Sequence, residues 1–508
     1  MLKKLWCFET MFFLGLWLTL VGFLPAMLFR DPGTFWHTAI GLQILDSGQV
    51  PRVDTFTYTV RGQPWVSQDW LCQIGMGLLY RLGGWDCLLV VTATVLGVLY
   101  AWLAGRLVSA GLAGICATLV AALALATSTP QFHVRPLVLT MALTGFTFAF
   151  LVDVESGRRP LRELWWFVPM FVFWTNVHGG VLGGLGTFGL VAGGWILWAL
   201  CGRSSPVGSR REGIELAGIL AASGLTVLIN PYGLQLPQLW FEILRLPLPE
   251  LILEHAPLWS VGSTAIVPIS LVLLYLVAVL GAWPKFPCVT WLMPLVWFFL
   301  ACLRSRHAAL FGVVAVLALA DVLPYSRLAR WLARRGFFQS KNPASDGGHT
   351  QLGWRRVALP SVVVGLAILL QTNSVRAPLL GQGWVRLDPS YWPVQLLPEL
   401  QELETRNRGQ IRIFNDYRYG GFLIFHTPAL PVFMDDRCEL FGEAFLRRHI
   451  YLCFDDPAEI ERWDAQIGFS HALVEGNSKL DRYLSESPRW ETIRRTPNAV
   501  LYGKKATC

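Results

Sequence analysis

The sequence has few charged residues. Asp, Glu, Lys and Arg make up 15% of its 508 residues, whereas soluble globular proteins average about 25%. Hydrophobic residues make up 54%, and the mean hydropathy is +0.46. This composition is typical of a polytopic membrane protein. The net charge of +8 is distributed between apolar runs rather than gathered in one stripe, so it does not indicate nucleic acid binding.

Several common functional signatures are also missing. The ten cysteines include no CxxC pair, and most lie inside apolar runs, which excludes the usual zinc and redox motifs. Cys438 and Cys453 share a soluble region, so the sequence leaves open whether they form a disulfide. The sequence has no P-loop, no dinucleotide fingerprint and no Ser/His/Asp order. It also lacks internal repeats and charged helix interiors, which argues against a transporter or a lipid flippase.

Long apolar runs recur along the first three quarters of the chain. About 20 apolar residues cross a bilayer. Eleven segments approach this length, at 11–29, 84–104, 109–127, 137–153, 163–177, 181–201, 213–230, 263–283, 286–303, 306–324 and 357–373. The first run is too long for a signal-peptide core, and no small-residue cleavage site follows it. We therefore predict a polytopic α-helical membrane domain of about eleven transmembrane helices in residues 1–373.

The distribution of cations predicts the orientation of these helices. Lys3 and Lys4 place the N-terminus in the cytoplasm, and alternation then places the Arg-rich loops inside and residues 30–83 outside. This assignment requires 69–83 to be a helix in the membrane interface, because one more span would turn the basic loops outward. We expect a bacterial-type inner (plasma) membrane protein whose C-terminal domain is extracytoplasmic.

The composition changes after a flexible linker at 336–356. Residues 374–508 predict a small α/β domain, with a helix in LPELQELETRNRG, strands in IRIFN, LPVFMDD, HALVEG and NAVLYGKK, a helix or strand in GGFLIFH, and a helix at 456–466. Within LPVFMDDR, the group Asp435, Asp436 and Arg437 has two interpretations. It binds an acceptor glycan, or it forms a strand-end turn with a local ion pair.

A long polar segment, residues 30–70, follows the first apolar run. Asp31 precedes Pro32 and a predicted helix at 34–47, so it suits the N-cap position. An ionised carboxylate at a membrane face is costly unless it is paired or used. We therefore favour a catalytic Asp31, which is compatible with capping. His37 is a metal ligand, an acid/base group, a partner that orients Asp31, or an interfacial histidine packed beside Trp36. Asp69 caps the next helix or supplies a second catalytic carboxylate.

The other loops predicted on the outer face of the membrane add polar residues at the same membrane depth as residues 30–70. Cations on the outer face oppose the positive-inside trend, and Arg binds phosphate oxygens bidentately. We predict that Arg135, Arg304 and Arg306 bind a donor phosphate, although simple snorkelling at helix ends is the alternative. The predicted substrate cavity is lined by His133, Asn176, His178, Tyr232 and His307. Glu254 and His255 lie either at this cavity or in a solvated loop.

The order of these segments resembles a known superfamily. An apolar helix, RDPGTFWH, VPRVDTFTY, RGQPWVSQDW and a short apolar helix follow one another as in the first extracytoplasmic loop of GT-C glycosyltransferases. The resemblance is to the protein O-mannosyltransferase-like and aminoarabinose-transferase-like families, and to a group of bacterial membrane proteins with the same loop form. In those enzymes an acid in this loop acts as a base or metal partner, and Asp31 falls at that place. They usually carry two adjacent acids, where this chain has Asp31-Pro32.

The resemblance implies a function for this chain. It implies a glycosyltransferase that moves a sugar from a polyprenyl-phosphate donor within the lipid bilayer to an acceptor glycan, lipid or protein. No cofactor is certain, and a divalent metal held by Asp31 and His37 is an open expectation. The competing interpretations are a non-catalytic membrane scaffold and a transporter of lipid-linked sugars on a similar helical frame.

Overall fold

The computed structural model describes residues 7–285, 287–339, 354–372, 383–406 and 411–505. Lys3, Lys4, residues 340–353 of the expected linker and the predicted domain boundary at 373/374 lie outside these residues. The regular elements of the N-terminal part are helices, with a non-helical segment at 48–69. The helices are α1 (Phe8–Gly22), α2 (Pro25–Leu28), α3 (Gly33–Ser47), α4 (Trp70–Ser109), α5 (Gly114–Ser128), α6 (Leu137–Glu155), α7 (Phe167–Val177), α8 (Val181–Leu200), α9 (Arg210–Leu225), α10 (Gln235–Arg245), α11 (Leu248–Leu251), α12 (Ile266–Gly281), α13 (Met293–Leu303), α14 (Ala308–Val322), α15 (Arg327–Arg334) and α16 (Trp354–Thr372).

Each of the eleven predicted spans contains a helix of this series. Six helical segments of the described chain are long and apolar enough to cross a membrane: Trp70–Ser109, Gly114–Gln131, Leu137–Glu155, Val181–Leu200, Leu258–Gly281 and Ser305–Tyr325. Three shorter apolar helices are Phe8–Gly22, Thr290–Leu303 and Ala358–Leu370. The prediction of a multi-pass helical membrane protein is therefore confirmed. The count of about eleven spans and the sidedness of the termini stay predictions.

Helix α4 is divided by a kink. Gly83 and Gly84 have non-helical backbone angles, and Gly84 is in the left-handed region, with φ 60° and ψ −153°. A residue with a Cβ is disfavoured there. The kink falls at the boundary expected between the segment 69–83 and the span that begins at 84. That the first part of α4 lies in the membrane interface stays a prediction.

The C-terminal part is an α/β unit built on one mixed sheet. Its elements are α17 (Leu397–Arg406), β1 (Ile413–Asn415), α18 (Tyr417–His426), α19 (Cys438–Phe454), α20 (Glu459–Ile467), β2 (His471–Glu475), α21 (Lys479–Glu486), β3 (Trp490–Arg495) and β4 (Ala499–Lys504). The strand order is β1-β2-β4-β3, with β1 and β2 parallel and the other pairs antiparallel. The small α/β domain is thus confirmed, and GGFLIFH forms the helix α18.

Two details of this domain differ from expectation. LPVFMDD does not form a strand of the sheet; instead Val432 makes an isolated parallel bridge with Thr57. The Val432 N–H donates to the Phe56 carbonyl at 3.0 Å, and the Tyr58 N–H donates to the Val432 carbonyl at 3.1 Å. The disulfide between Cys438 and Cys453 is not formed, because both are free thiols.

The first loop and the C-terminal unit share one hydrophobic core. Phe35, Trp36 and Ile40 of α3 pack in a buried cluster with residues of α17, α18 and β4. Phe35 makes an edge contact with Trp392, at 4.9 Å between ring centroids, and the Trp392 indole donates to the Phe29 carbonyl at 2.8 Å. Residues from the two ends of the chain therefore meet directly beside Asp31.

A buried ion pair fixes this contact. Arg437 Nη2 lies 2.7 Å from Asp54 Oδ1 and 2.6 Å from Asp435 Oδ2, and all three side chains are almost fully buried. The guanidinium also lies over the Trp65 ring, 4.7 Å from its centroid. Asp54 lies in a turn, where it accepts the Thr57 N–H at 3.0 Å. Its charged partner comes from the C-terminal unit.

Candidate active site

The centre of the candidate site is an ion pair between Asp31 and Arg135. Asp31 Oδ1 accepts the Gly33 N–H at 2.8 Å, at the start of α3, so this oxygen caps the helix as the Asp-Pro pair predicts. Asp31 Oδ2 accepts Arg135 Nη1 at 2.6 Å. Arg135 comes directly before α6, and both side chains are largely buried. One oxygen of the Asp31 carboxylate therefore caps the helix, and the other pairs with Arg135.

Arg135 belongs to a wider charged cluster. Its Nη2 also donates to the Gln131 side chain and lies 3.2 Å from Glu254 Oε2. The other Glu254 oxygen lies 3.6 Å from Arg306 Nη1. Burial raises the pKa of Glu254, but Arg135 and Arg306 outweigh it and hold that pKa far below its usual range. Glu254 is therefore an anion bridging two predicted phosphate-binding arginines, which favours the cavity interpretation over a solvated loop.

A second acid comes from the C-terminal unit. Asp436 Oδ1 accepts the Trp36 indole N–H at 2.8 Å. A Cβ placed on Gly33 would lie 2.5 Å from Asp31 Oδ1 and 3.6 Å from Asp436 Oδ2, so the two carboxylates flank Gly33. Burial and the nearby charges of Asp31 and Asp435 raise the pKa of Asp436 well above its usual range. Asp31 thus has a neighbouring acid that is distant in sequence.

Asp69 and His37 form a buried pair beside this cluster. The His37 Nε2 atom lies 3.9 Å from Asp69 Oδ2, and its Nδ1 lies 3.0 Å from the Gln73 side-chain nitrogen. Burial, reinforced by the charge of Glu439, raises the pKa of Asp69 to about 8. Burial also lowers the pKa of His37 well below its usual range. At pH 7 the pair is therefore a protonated acid beside a neutral imidazole.

A close helix crossing places His37 against Gln73. Gly41 of α3 lies so close to the Gln73 carbonyl that a Cβ on Gly41 would overlap it, and Gly77 meets the backbone of Gly41 in the same way. Glycine permits this approach because it lacks a side chain. The first turns of α4 consequently hold the imidazole in place.

The expected metal ligands do not share a ligand position. Both ring nitrogens of His37 are directed to Gln73 and Asp69, and the Asp31 oxygens are directed to Gly33 and Arg135. A metal between Asp31 and His37 would require both side chains to turn away from these partners. A divalent cation shared by Asp31 and His37 stays a prediction.

An apolar cavity of about 370 Å³ lies between α4, α6 and α7. Arg135 is the single charged residue among the residues that line it. The rest of the lining is apolar or weakly polar and includes Gly75, Val95, Val138 and Phe173. Arg135 thus touches both an apolar cavity and the Asp31 carboxylate.

Two further predicted residues lie close to this cluster. Burial lowers the pKa of His178 to about 3, with Arg306 and Arg135 acting in the same direction. Its Nδ1 accepts the Gly180 N–H at 3.0 Å and lies 2.9 Å from the Thr140 hydroxyl. His133 is near enough to Asp31 and Arg135 for both charges to act on its pKa, which burial lowers.

Three other predicted cavity residues have structural partners instead. Asn176 accepts the Trp70 indole N–H at 2.8 Å and donates to the Ile229 carbonyl. The Tyr232 hydroxyl donates to the Pro51 carbonyl at 2.7 Å. His307 bonds the Leu300 carbonyl at 3.1 Å. The hydrogen bonds of these three side chains stabilise the loops around the cluster.

Arg304 and Arg306 differ in their surroundings. Arg306 faces Glu254, whereas the half-buried Arg304 has no ion pair among the described residues. Sequence reasoning placed both in one phosphate site. It left Glu254 and Asp436 with two interpretations each and did not name Glu439, whose signal would have been its predicted position on the same side as Asp31.

Comparison with solved structures identifies the fold. The chain is similar to the archaeal oligosaccharyltransferase AglB from Archaeoglobus fulgidus, whose structure was solved in complex with an inhibitory peptide and a dolichol-phosphate. The two structures align with a TM-score of 0.53 and 12% sequence identity, and the alignment covers 92% of this chain and 69% of AglB. This chain has the GT-C fold. ArnT from Cupriavidus metallidurans bound to undecaprenyl phosphate, also a GT-C enzyme, is similar with a TM-score of 0.49 and 14% identity over 97% and 98% of the two chains. No protein-family model and no curated protein matches this GT-C chain.

Proposed function

We propose that this GT-C chain is a membrane glycosyltransferase that moves a sugar from a polyprenyl-phosphate donor to an acceptor glycan, lipid or protein at the outer face of the membrane. The observation that carries the proposal is the position of Arg135. It lines the apolar cavity and also pairs with Asp31 at 2.6 Å. One residue therefore joins a compartment suited to a lipid chain to a carboxylate suited to proton removal.

The cavity and the arginines account for the donor. A polyprenyl chain is apolar, and the lining between α4, α6 and α7 offers it apolar contacts. Its phosphate would meet Arg135 at the charged end, where guanidinium binds phosphate oxygens bidentately. Arg306 would join after the phosphate replaces Glu254 between the two arginines. The AglB structure contains a dolichol-phosphate, which agrees with this class of donor.

The acids account for the transfer. Asp31 removes the proton from an acceptor hydroxyl, and the acceptor oxygen attacks the anomeric carbon. The bond between that carbon and the phosphate oxygen breaks, and the leaving phosphate keeps the electron pair beside Arg135 and Arg306. When Arg135 turns to the phosphate, Asp31 loses part of its pairing and becomes available to the hydroxyl. Direct attack inverts the anomeric centre.

Asp436 has a supporting role in this scheme. Burial and the charge of Asp31 raise its pKa, which favours the protonated acid that can donate a hydrogen bond over a second negative charge. Asp69 carries a further proton beside the neutral His37, at the edge of the cluster. No step of the scheme uses a metal, since Asp31 and His37 are turned to other partners.

Glycosyl transfer by the purified full chain tests the proposal. The assay follows transfer from polyprenyl-phosphate sugars in detergent or liposomes, with wild type, Asp31→Asn and Asp46→Asn. Asp46 has the same charge in the same loop but is largely exposed. We expect Asp31→Asn to lose about a hundredfold or more, as for removal of a general base, and Asp46→Asn to match wild type.

Two results would reject parts of the scheme. Equal activity of wild type and Asp31→Asn removes Asp31 from the mechanism. A wild-type protein that binds the lipid donor but transfers no sugar supports a non-catalytic scaffold or a carrier of lipid-linked sugars.

A further inference from the structure

We propose that the C-terminal unit contains a site for a divalent transition-metal ion, best suited to Zn²⁺, formed by Asp416, His449 and Cys453. This site is separate from the Asp31 cluster and independent of the proposed reaction. Asp416 follows β1 and caps α18, where its Oδ1 accepts the Arg418 N–H at 3.1 Å. His449 and Cys453 lie one turn apart on α19.

The ligand atoms are already close together. One candidate atom from each of Asp416, His449 and Cys453 lies within 4.8 Å of the other two. The Cys453 sulfur is 3.7 Å from His449 Nε2 and 3.9 Å from Nδ1. In a tetrahedral zinc site, bond lengths of about 2.3 Å to sulfur and about 2.0 Å to nitrogen place these donors about 3.5 Å apart. Small side-chain rotations would bring all three onto one ion.

His449 lacks an ordinary hydrogen-bond partner. Its side chain is buried, with 4% of its surface exposed, and within the described residues its ring nitrogens meet only the Cys453 sulfur. Buried polar atoms normally have a partner, so a buried imidazole that faces only a thiol is unusual. Phe414 stacks on the ring and limits its motion.

The donor set selects the kind of ion. A thiol, an imidazole and a carboxylate suit Zn²⁺ or a similar transition metal, whereas Mg²⁺ and Ca²⁺ prefer oxygen ligands. A metal binds the thiolate form of cysteine, so binding would displace the thiol proton of Cys453. Cys453 is a free thiol and is available for this bond.

The position of the site indicates what an ion would do there. It would connect the end of β1 to the last turns of α19. Helix α19 begins two residues after Asp436 but is broken at Gly442, so the ion would restrain the part of α19 that follows this break. A small unit with a single thin sheet gains much from such a cross-link.

Cobalt and zinc binding to the full-length protein in detergent tests the inference. After chelator treatment and dialysis, the chain is titrated with Co²⁺, followed by Zn²⁺ competition and elemental analysis. We expect one ion per chain with thiolate-to-cobalt absorption, lost in Cys453→Ser and His449→Asn. The exposed Cys201→Ser variant is the matched thiol control and should bind as wild type does. Asp31→Asn should also bind normally, which separates this site from the proposed catalytic cluster.

Alkylation of the wild-type protein gives a test that needs no variant. With and without Zn²⁺, a maleimide is added and each cysteine is quantified by peptide mass spectrometry. We expect Zn²⁺ to slow the labelling of Cys453 about tenfold or more while Cys201 labels equally, because a bound thiolate is withheld from the reagent. Unchanged labelling of Cys453, or full thiolate absorption in Cys453→Ser, overturns the inference.

Discussion

Arg135 Nη1 donates to Asp31 Oδ2 at 2.6 Å, and the same guanidinium lines the apolar cavity between α4, α6 and α7. The two residues are 104 positions apart and reach each other from the start of α3 and the start of α6. This ion pair joins the acid of the first loop to the compartment proposed for the lipid. The predictions below follow from that junction and from the contacts around it.

Arg135→Ala should weaken donor binding far more than Arg304→Ala. A charged hydrogen bond contributes about 1.5–3 kcal/mol, so we expect the KM for a polyprenyl-phosphate sugar to rise about tenfold to a hundredfold in Arg135→Ala. Arg304 is half-buried and has no ion pair among the described residues, so its change should be within about threefold. Steady-state kinetics with varied donor checks both. Equal losses would place the phosphate nearer Arg304.

Gly75→Leu should obstruct the proposed lipid compartment. Gly75 lines the cavity, and a Cβ there would meet no atom within 4 Å, so the first carbon of a leucine side chain fits at this position. Leucine also favours helix over glycine by up to about 1 kcal/mol. We expect a donor KM at least about fivefold higher, from lost apolar contact, with an unchanged unfolding temperature.

The matched control for this variant is Gly218→Leu. Gly218 lies in α9, where an added Cβ also meets nothing within 4 Å, and it does not line the cavity. Its kinetics should equal those of wild type. A normal donor KM in Gly75→Leu would show that the lipid lies elsewhere.

Asp69 should make the folded state less stable as pH rises. Its folded pKa is about 8 against an ordinary value of 3.8, so the folded chain retains a proton that the unfolded chain releases. The resulting stabilisation is complete below the ordinary value and is lost as the pH rises through about 8. Each pH unit in that window costs up to about 1.4 kcal/mol for one such group.

Unfolding temperatures from pH 5 to 9 check this sign. With rising pH the wild-type unfolding temperature should decline relative to that of Asp69→Asn. Other buried groups with shifted pKa values, such as Asp436, Glu439 and His178, contribute to both curves, so the difference between the two proteins reports on Asp69. Asp46→Asn should retain the wild-type slope. Identical slopes in wild type and Asp69→Asn would show that Asp69 is already ionised in the folded protein.

Arg437→Met should destabilise the protein strongly. It removes the cation and leaves Asp54 and Asp435 buried without their partner, which typically costs about 3–5 kcal/mol. Arg447→Met is the control, because Arg447 pairs with Glu250 and Glu443 at an exposed position where such pairs contribute about 0–1 kcal/mol. Thermal unfolding followed by tryptophan fluorescence distinguishes them. If both variants lower the unfolding temperature by a similar, small amount, the contact of Arg437 with Asp54 and Asp435 contributes little to stability.

The sequence predicted the helical frame well because apolar length is a local property. The same reasoning located Asp31 at a helix start and found the boundary now occupied by the Gly83–Gly84 kink. It could not predict that Val432 pairs with Thr57 rather than joining the sheet, because a short apolar run has the same pattern in both cases. It offered Asp69 as the second carboxylate of the site, whereas the acid that flanks Gly33 together with Asp31 is Asp436, brought there by packing of the C-terminal unit on α3. Such long-range pairings leave no periodic signal.

The contact between Asp54 and Arg437 has a consequence for synthesis of the chain. The first loop leaves the ribosome early, yet its buried aspartate has no cation, and Trp36 has no Asp436 partner, until translation passes residue 437. A protein shortened before that point lacks both the cation that pairs with Asp54 and the acid beside Asp31. The candidate site is therefore complete only after the last quarter of the chain has been made and has packed on the first loop.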